Sequence, residues 1–407
     1  MNKVMKILRM PEWIFLPLIL LLVLAMPFIP APKQKIGANG EKTVVIKPIG
    51  FRGQIPSNVE RICIYAIMAL GLNIVMGYTG LLDLGYVSFM ATGAVLTAVA
   101  SVAVADPSTG AWLIPVGGRT VKDAEHLFHF PGSYLVIVLF CGFVCAMLGI
   151  LRGIPTIRLT GDYYAIVTLG LAEILYIYYR VADWTGGPKS LACNGPDMPT
   201  MFGRELYYDT PWFYYTVAAF FLLAMIAVLH LRDSRTGRAM AAIRLDPTAA
   251  MSCGVNVNRY KMIAFAISGF IGGVGGSLYM VWQGSFSAVS MEVWESILLV
   301  CCLVLGGLGS VRGAILGAIV LVALGEILRQ PLPKFNFETR AFYWDAWPQQ
   351  ARHLFYGIIL VVLMRFRPEG VLPDRLSREP LNDAEIDRLK QSDSALYKVG
   401  VTGANNA

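Results

Sequence analysis

Three ionisable residues, Asp83, Glu173 and Glu326, fall inside long apolar runs of the sequence. A charge at the centre of a bilayer costs about 2.5 to 3.5 kcal/mol on insertion scales, so each side chain is expected to face protein or water. Two interpretations remain open. Either these carboxylates line a solute path or carry protons, or they lie nearer a membrane surface and pair with basic neighbours such as Arg180 or Arg329.

Sequence signatures of enzymes are absent from the chain. The nearest approach to a phosphate-binding loop, Gly186-Gly-Pro-Lys-Ser, has the wrong spacing and a proline where a backbone donor is needed. The sequence also lacks a nucleophile elbow, a His-Glu-x-x-His motif and a Cys-x-x-Cys motif. We therefore expect no catalytic residues, no metal site and no cofactor bound by this chain.

Composition indicates a membrane protein. Of the 407 residues, 56% are hydrophobic and 15% are charged, whereas soluble domains contain about 25% charged residues. Only segments that satisfy their own backbone hydrogen bonds can cross lipid, so we predict an all-α polytopic membrane protein. The net charge of +7 comes from basic residues between the apolar runs, which is typical of membrane flanks and does not indicate nucleic acid.

About ten apolar runs approach the 20 or so residues that a membrane-spanning helix needs. An even number of crossings places both termini in the cytoplasm, together with the basic segment from Arg232 to Lys261. The first run follows a basic N-terminus and is interpreted as an uncleaved helix, with a signal peptide as the alternative. The predicted helices are residues 13–30, 60–78, 84–105, 132–151, 161–180, 211–231, 260–282, 293–308, 312–329 and 352–365.

Glycine recurs every four residues at Gly309, Gly313 and Gly317, which would form one smooth face on a helix. Small residues let helix backbones approach closely in lipid, where burial of apolar surface contributes little to association. We therefore assign these glycines to helix packing. The pair Gly272 and Gly276 is assigned in the same way.

Two glycine-rich interruptions lie between apolar runs, one beginning at Gly77 and one at Gly306. Interrupted helices at matching positions of two halves surround the path in transporters built from inverted repeats. The sequence alone leaves open whether this likeness reflects such a repeat or coincidence in a glycine-rich chain.

The basic segment contains a short helix with well-defined ends. Asp246 suits an N-cap, Pro247 suits the first helical position, and Gly254 suits the stop. These signals predict a helix from Pro247 to Cys253. Such a rigid element could enter a groove of a partner, whereas a simple connector would not need both caps.

Further motifs are spread from about residue 55 to residue 375, and together they resemble the permeases of branched-chain amino-acid ABC importers. The resemblance covers most of the chain. The motifs are Gly71-Leu-Asn-Ile-Val-Met-Gly-Tyr-Thr-Gly-Leu-Leu-Asp-Leu-Gly, Arg158-Leu-Thr-Gly-Asp-Tyr-Tyr-Ala-Ile-Val-Thr-Leu-Gly-Leu-Ala-Glu, Thr185-Gly-Gly-Pro, Gly237-Arg to Gly254-Val, Gly306-Gly-Leu-Gly-Ser and Arg367-Pro-Glu-Gly.

The resemblance implies an ABC importer permease fold in residues 55–375, between an N-terminal helix and loop in residues 1–54 and a cytoplasmic tail in residues 376–407. It implies a bacterial inner-membrane complex with a second similar permease, a periplasmic substrate-binding protein, and two cytoplasmic ATPase subunits that bind ATP and Mg. The short helix would be the coupling helix that docks on an ATPase. The matching docking residues are Arg244, Asp246, Pro247, Ala249, Ala250 and Gly254.

Some positions depart from the family pattern. Lys189 and Ser190, with an insertion through Met201, follow the Thr185-Gly-Gly-Pro motif, and Pro247 stands where relatives often carry an acidic residue. The departures bear on the external docking surface and the cargo. Urea and sugar permeases are the near alternatives, because a fold does not fix its cargo. A secondary transporter and a membrane-embedded enzyme are the alternatives from other classes.

Overall fold

The computed structural model describes two central blocks of the chain in full, residues 54–102 and 210–329. Of the predicted span at 13–30 only residue 30 is described, half of the predicted span at 352–365 is described, and the tail at 376–407 falls entirely outside the described residues. The other described residues are 30–36, 42–48, 104–105, 112–113, 125–126, 132–156, 159, 162–185, 191–192, 200–201, 204–205, 354, 356–358, 361–362, 365 and 370–372.

Helices dominate the described residues. The eight runs predicted between residues 60 and 329 each coincide with a helix. Six helical segments in this part of the chain are long and apolar enough to cross a membrane, so the predicted total of ten remains a prediction. The helices are α1 Gln54–Asn73, which continues as a π-helical turn at Ile74–Tyr78, α2 Val87–Val102, α3 Ser133–Thr156, α4 Asp162–Val181, α5 Pro211–Asp233, α6 Arg235–Leu245, α7 Pro247–Ser252, α8 Val257–Gln283, α9 Val293–Gly306 and α10 Val311–Arg329.

Short antiparallel strand pairs, which the all-α prediction did not include, lie outside the described helices. The longest is a hairpin of β1 Pro30–Ile36 and β2 Lys42–Pro48, in which Pro30 lies opposite Pro48. The remaining strands are β3 Val104–Ala105 between β4 Trp112–Leu113 and β5 Glu125–His126, β6 Leu191–Ala192 paired with β9 Ser285–Phe286, and β7 Thr200–Met201 paired with β8 Arg204–Glu205.

The centre of the bundle is α8, which packs against α1, α2 and α3. Its glycines lie directly on neighbouring backbones. A Cβ atom at Gly269 would lie 2.5 Å from the carbonyl oxygen of Cys145 on α3, and one at Gly272 would lie 2.8 Å from Cβ of Phe89 on α2. At Gly276 a Cβ would collide with the carbonyl of Met90. Close approach of these helices therefore requires glycine on α8.

Direct contacts show that α1 and α8 run antiparallel. Near one end of the pair, the indole nitrogen of Trp282 donates to the carbonyl oxygen of Ser57 at 3.2 Å. Nearer the middle, the hydroxyl of Ser268 donates to the carbonyl oxygen of Gly71 at 2.8 Å. These two long helices provide the frame against which the shorter helices can be located.

The first returning segment, residues 79–86, leaves the end of α1 and runs back into the bundle. At its end the Tyr86 hydroxyl donates to the carbonyl oxygen of Ser268 at 3.2 Å, eleven residues after α8 begins. At 1.5 Å per residue, α2 therefore starts about 16 Å along α8. The hydroxyl of Thr97 donates to that of Ser277 at 2.7 Å, so α2 runs parallel to α8.

The second returning segment, residues 284–292, leaves the end of α8 in the same way. The Tyr65 hydroxyl donates to a carboxylate oxygen of Glu295 at 2.7 Å, eleven residues after α1 begins. Hence α9 also starts about 16 Å along a long helix. Beyond α9, the backbone nitrogen of Gly309 donates to Oδ1 of Asn73 at 2.9 Å, so α9 runs parallel to α1.

The order of long helix, returning segment and short helix thus occurs twice, in opposite directions, which is the arrangement of an inverted repeat. Its equivalent interruptions are residues 79–86 and 284–292. The glycine-rich interruptions that the sequence suggested as partners are instead neighbours in space, since a Cβ at Gly77 would lie 2.7 Å from the backbone nitrogen of Gly309.

The spaced glycines divide between a turn and a helix. Gly309, expected on the helical face, precedes α10 and has a φ of +87° in the turn after α9. Gly313 and Gly317 lie on α10 and face α9. A Cβ at Gly313 would lie 2.5 Å from the carbonyl oxygen of Gly306, and one at Gly317 would collide with that of Cys302.

We expect Gly313→Leu to destabilise the protein, because the side chain would force α10 away from the backbone of α9. Overpacking a tight contact typically costs about 1 to 3 kcal/mol. The measurement is thermal unfolding in detergent, with Gly170→Leu on α4 as the matched control, since a Cβ there would meet no atom within 4 Å. Equal melting temperatures for the two variants would contradict the assigned contact.

Candidate functional site

A polar loop between α5 and α8 contains the two short helices α6 and α7. The hydroxyl of Ser234, between α5 and α6, accepts a hydrogen bond from the backbone nitrogen of Gly237 at 3.1 Å and so caps α6. Asp246 ends α6 and caps α7, with its Oδ1 accepting from the backbone nitrogens of Thr248 at 2.7 Å and Ala249 at 3.2 Å. The loop therefore has fixed corners at both helix starts.

The end of α7 falls one residue before the predicted position. The helix stops at Ser252, with Cys253 as its C-cap. Gly254 follows with a φ of +83°, a conformation that glycine adopts without steric penalty. The backbone nitrogen of Val255 then donates to the carbonyl oxygen of Ala250 at 3.0 Å, which closes the turn into α8.

Ala250 lies inside the loop and not on its outer face. It is 4% exposed and forms a small buried cluster with Ile243 of α6 and Val257 of α8. The loop itself therefore covers this side chain, and the docking role predicted for Ala250 stays a prediction. A larger or charged residue there would disturb the packing of α6, α7 and α8.

The outer face of the loop is apolar at two positions that the sequence reasoning missed. Leu245 is 88% exposed and Met251 is 56% exposed, and Ala249 lies exposed near them. We call Leu245, Ala249 and Met251 the docking face. The signal in the sequence is the presence of the large apolar residues Leu245 and Met251 within a polar, basic loop.

Arg244 reaches back to the membrane-spanning helices. Its guanidinium donates to the carbonyl oxygen of Gly77 in the π-helical turn after α1. The stem of the side chain lies over Gly80, where a Cβ would be 3.1 Å from Cγ of Arg244. The sequence reasoning placed Arg244 among the docking residues, and the structure adds a contact with the first returning segment.

Asp83 lies in the returning segment 79–86 and is fully buried. It forms an ion pair with Arg152 of α3, whose side chain is 8% exposed. The same guanidinium donates to the carbonyl oxygen of Gly85 at 2.9 Å and to the hydroxyl of Ser88 at 3.2 Å. It also lies over the ring of Phe89, 4.3 Å from the ring centre. Asp83 is thus held by α3, and not by Arg180 as one interpretation suggested.

The other two predicted carboxylates have different surroundings. Glu326 of α10 lies 3.5 Å from Arg61 of α1, a basic neighbour that the sequence interpretation did not name. Glu173 is half-buried on α4, one turn before Tyr176, whose hydroxyl donates to a carboxylate oxygen of Glu292 at 3.2 Å. The structure does not gather the three predicted carboxylates into one site.

Comparison with known proteins decides the class. The family model described as "Branched-chain amino acid transport system / permease component" matches residues 59–364. The chain belongs to this family. It is a permease subunit of the ABC importer class and an integral protein of the inner membrane, as the resemblance over residues 55–375 predicted.

Two of the relatives carry the name "high-affinity branched-chain amino acid transport system permease protein LivM". Those of Salmonella typhimurium and Escherichia coli are each 33% identical to this chain over 334 residues, which cover 76% of this chain and 68% of the relative. The fructose import permease protein FrcC of Rhizobium meliloti is 26% identical over 73% of this chain and 85% of its own. No solved structure matches the chain. These relatives are transport subunits, in keeping with the absence of enzyme signatures in the sequence.

The buried ion pair makes a testable contribution to stability. We expect Asp83→Asn, which keeps the size of the side chain, to destabilise the protein by about 3 to 5 kcal/mol, because it leaves the guanidinium of Arg152 buried without a countercharge. Unfolding in detergent micelles is the measurement.

The matched control is Asp233→Asn, which removes the carboxylate of an exposed pair. Asp233 lies 3.0 Å from Arg232, and its side chain is 71% exposed. Exposed pairs contribute about 0 to 1 kcal/mol, so this variant should unfold almost as the unmodified protein does. A similar small loss for Asp83→Asn would show that the buried pair is not needed.

Proposed function

We propose that this chain is one of two permease subunits of an ATP-driven importer that moves branched-chain amino acids inward across the bacterial inner membrane. The family match supports the transport role. The cargo assignment rests on the two LivM relatives, whose matches extend over most of both chains at 33% identity. The fructose permease matches at 26% and makes a sugar the second candidate.

The observation that carries the mechanism is the rigid loop with its uncovered apolar face. The caps at Ser234 and Asp246 and the buried cluster around Ala250 fix the loop before any partner binds. A rigid element loses little conformational entropy on docking. The exposed side chains of Leu245 and Met251 would then fill a groove of a cytoplasmic ATPase subunit, with α7 as the coupling helix.

The remaining partners follow from the same proposal. Two ATPase subunits would bind ATP and Mg, so this chain needs no nucleotide site of its own. A second permease subunit would complete the path, and a periplasmic protein would bind and deliver the amino acid. The returning segments 79–86 and 284–292, the second of which contains a 3-10 helix at Ala288–Met291, bring backbone that is not α-helical about 16 Å along the long helices, where transporters commonly place their path.

Cargo can be tested with the complex purified from its native membranes and reconstituted into proteoliposomes with its binding protein. We expect ATP-dependent uptake of leucine, isoleucine and valine, and no uptake of fructose. Uptake of fructose alone would overturn the cargo but keep the importer, whereas leucine uptake without ATP would overturn the importer itself.

Docking can be tested with Leu245→Glu and Met251→Glu on the outer face of the loop. A carboxylate in an apolar groove is strongly disfavoured, so we expect the ATPase subunits to be lost during purification and uptake to fall together with hydrolysis. The core of the permease is untouched, and its own thermal stability should be unchanged.

The matched control for Met251→Glu is Val289→Glu. Both side chains are 56% exposed, but Val289 lies in the returning segment 284–292, which starts from the opposite end of α8. This control should still co-purify with the ATPases. Retention of the ATPases by both Met251→Glu and Leu245→Glu would exclude the docking face.

A further inference from the structure

One side chain of the loop between α5 and α8, which we call the docking loop, contacts the end of α1 and the start of the returning segment 79–86. Arg244 immediately precedes Leu245 on the docking face, and its guanidinium donates to the carbonyl oxygen of Gly77, 167 residues away along the chain. Its stem lies against Gly80, where a Cβ would be 3.1 Å from Cγ and 3.7 Å from Cβ of Arg244. Arg244 therefore contacts the last π-helical turn of α1 at Gly77 and the start of the returning segment 79–86 at Gly80.

The turn that Arg244 holds is not regular helix. Residues 74–78 form a π-helical turn, a form that is rare and frequent at functional sites. The hydroxyl of Thr79 donates to the carbonyl oxygen of Val75 at 2.7 Å, and the backbone nitrogen of Leu81 shares that acceptor at 3.3 Å. Such a turn can change its hydrogen bonds without unfolding α1.

The returning segment 79–86 is itself bonded to three other helices. Asp83 pairs with Arg152 of α3, and the backbone nitrogen of Leu84 donates to the hydroxyl of Thr168 on α4 at 3.4 Å. The carbonyl oxygen of Leu84 accepts from the hydroxyl of Ser296 in the first turn of α9. Movement of segment 79–86 would therefore displace the first turns of α2 and α9 inside the bundle.

We propose that Arg244 is the positioning residue that couples the docking loop to the returning segment 79–86, so that the two move as one unit. The inference rests on the proposed function and adds to it the route by which movement enters the membrane. A role limited to contact with the ATPase is the competing explanation. The two differ in what happens when the hydrogen bond to Gly77 is lost but docking is kept.

The first test compares Arg244→Met with Arg244→Lys in the reconstituted complex. Methionine keeps an unbranched stem over Gly80 but donates no hydrogen bond, whereas lysine keeps a donor. We expect Arg244→Met to retain the ATPase subunits and their hydrolysis while uptake falls at least about fivefold, the lower limit for coupling between sites. Arg244→Lys should recover part of that uptake.

The matched control is Arg259→Met, which removes the same charge from an exposed position near the start of α8. It should transport as the unmodified complex does. Loss of the ATPase subunits from Arg244→Met would overturn the proposal in favour of a docking contact, and full uptake by Arg244→Met would overturn it as well.

A covalent link tests the same claim without relying on a hydrogen bond. A Cβ atom at residue 80 would lie 3.7 Å from Cβ of Arg244, within the range of about 3.5 to 4.5 Å that a disulfide needs. The variant is Gly80→Cys with Arg244→Cys, made in a Cys253→Ser background because Cys253 is exposed in the same loop. Gly80 has a φ of +74°, so Gly80→Cys alone is the control for strain.

With the disulfide reduced, we expect the double variant to hydrolyse ATP but to transport poorly. Oxidation should restore uptake at least about fivefold, because the disulfide replaces the lost contact. If oxidation leaves uptake unchanged or lowers it, the loop and the segment do not move together and the proposal is wrong. Failure of the proposed function is separable, because in that case the unmodified complex would show no ATP-dependent uptake.

Discussion

The fold depends on hydrogen-bond partners for the backbone groups that are not in a helix inside the bundle. Lipid offers no hydrogen bonds, so non-helical backbone at membrane depth must be covered and bonded by protein. In the returning segment 79–86 this role falls to Arg152, which neutralises Asp83 and donates to the carbonyl oxygen of Gly85 and the hydroxyl of Ser88. One guanidinium thus satisfies several polar groups at the point where α2 begins.

That solution requires the helices to lie unusually close together. The side chain of Arg152 spans from α3 to the returning segment only because α3 lies directly on α8, where a Cβ at Gly149 or Gly269 would clash with the facing backbone. A Cβ at Gly85 would likewise collide with the carbonyl oxygen of Thr168 on α4. Glycine packing and the buried ion pair are therefore linked, since the first sets the distances that the second can bridge.

Local patterns in the sequence predicted the parts of the fold that local physics determines. Apolar runs predicted eight of the ten helices α1 to α10, and the N-cap at Asp246 with the stop at Gly254 predicted α7. The partners of Asp83 and Glu326 could not be derived in this way. Arg152 is 69 residues from Asp83, and pairing over such separations is set by which helices pack together.

The sequence did not distinguish the exposed side chains of the loop between α5 and α8 from its buried ones. Ala250 and Ala249 are adjacent and chemically identical, yet one is buried and the other exposed. The packing of α6 and α8 around Ala250 distinguishes them, and that packing is a tertiary property. Leu245 and Met251 are the large apolar residues that the loop leaves exposed, and their residue type is the feature by which the sequence could have indicated its outer face.

The inverted repeat gives the two returning segments different attachments. Segment 79–86 is held by Arg244 of the loop between α5 and α8, whereas segment 284–292 is held by the pairing of β9 with β6, in which Phe286 lies opposite Leu191. Both side chains of that pair are 2% exposed. The two segments start from opposite ends of the long helices, and segment 79–86 meets the helix that follows segment 284–292, where Ser296 in the first turn of α9 donates to the carbonyl oxygen of Leu84. A displacement that enters from either end of the bundle therefore acts on the same contact.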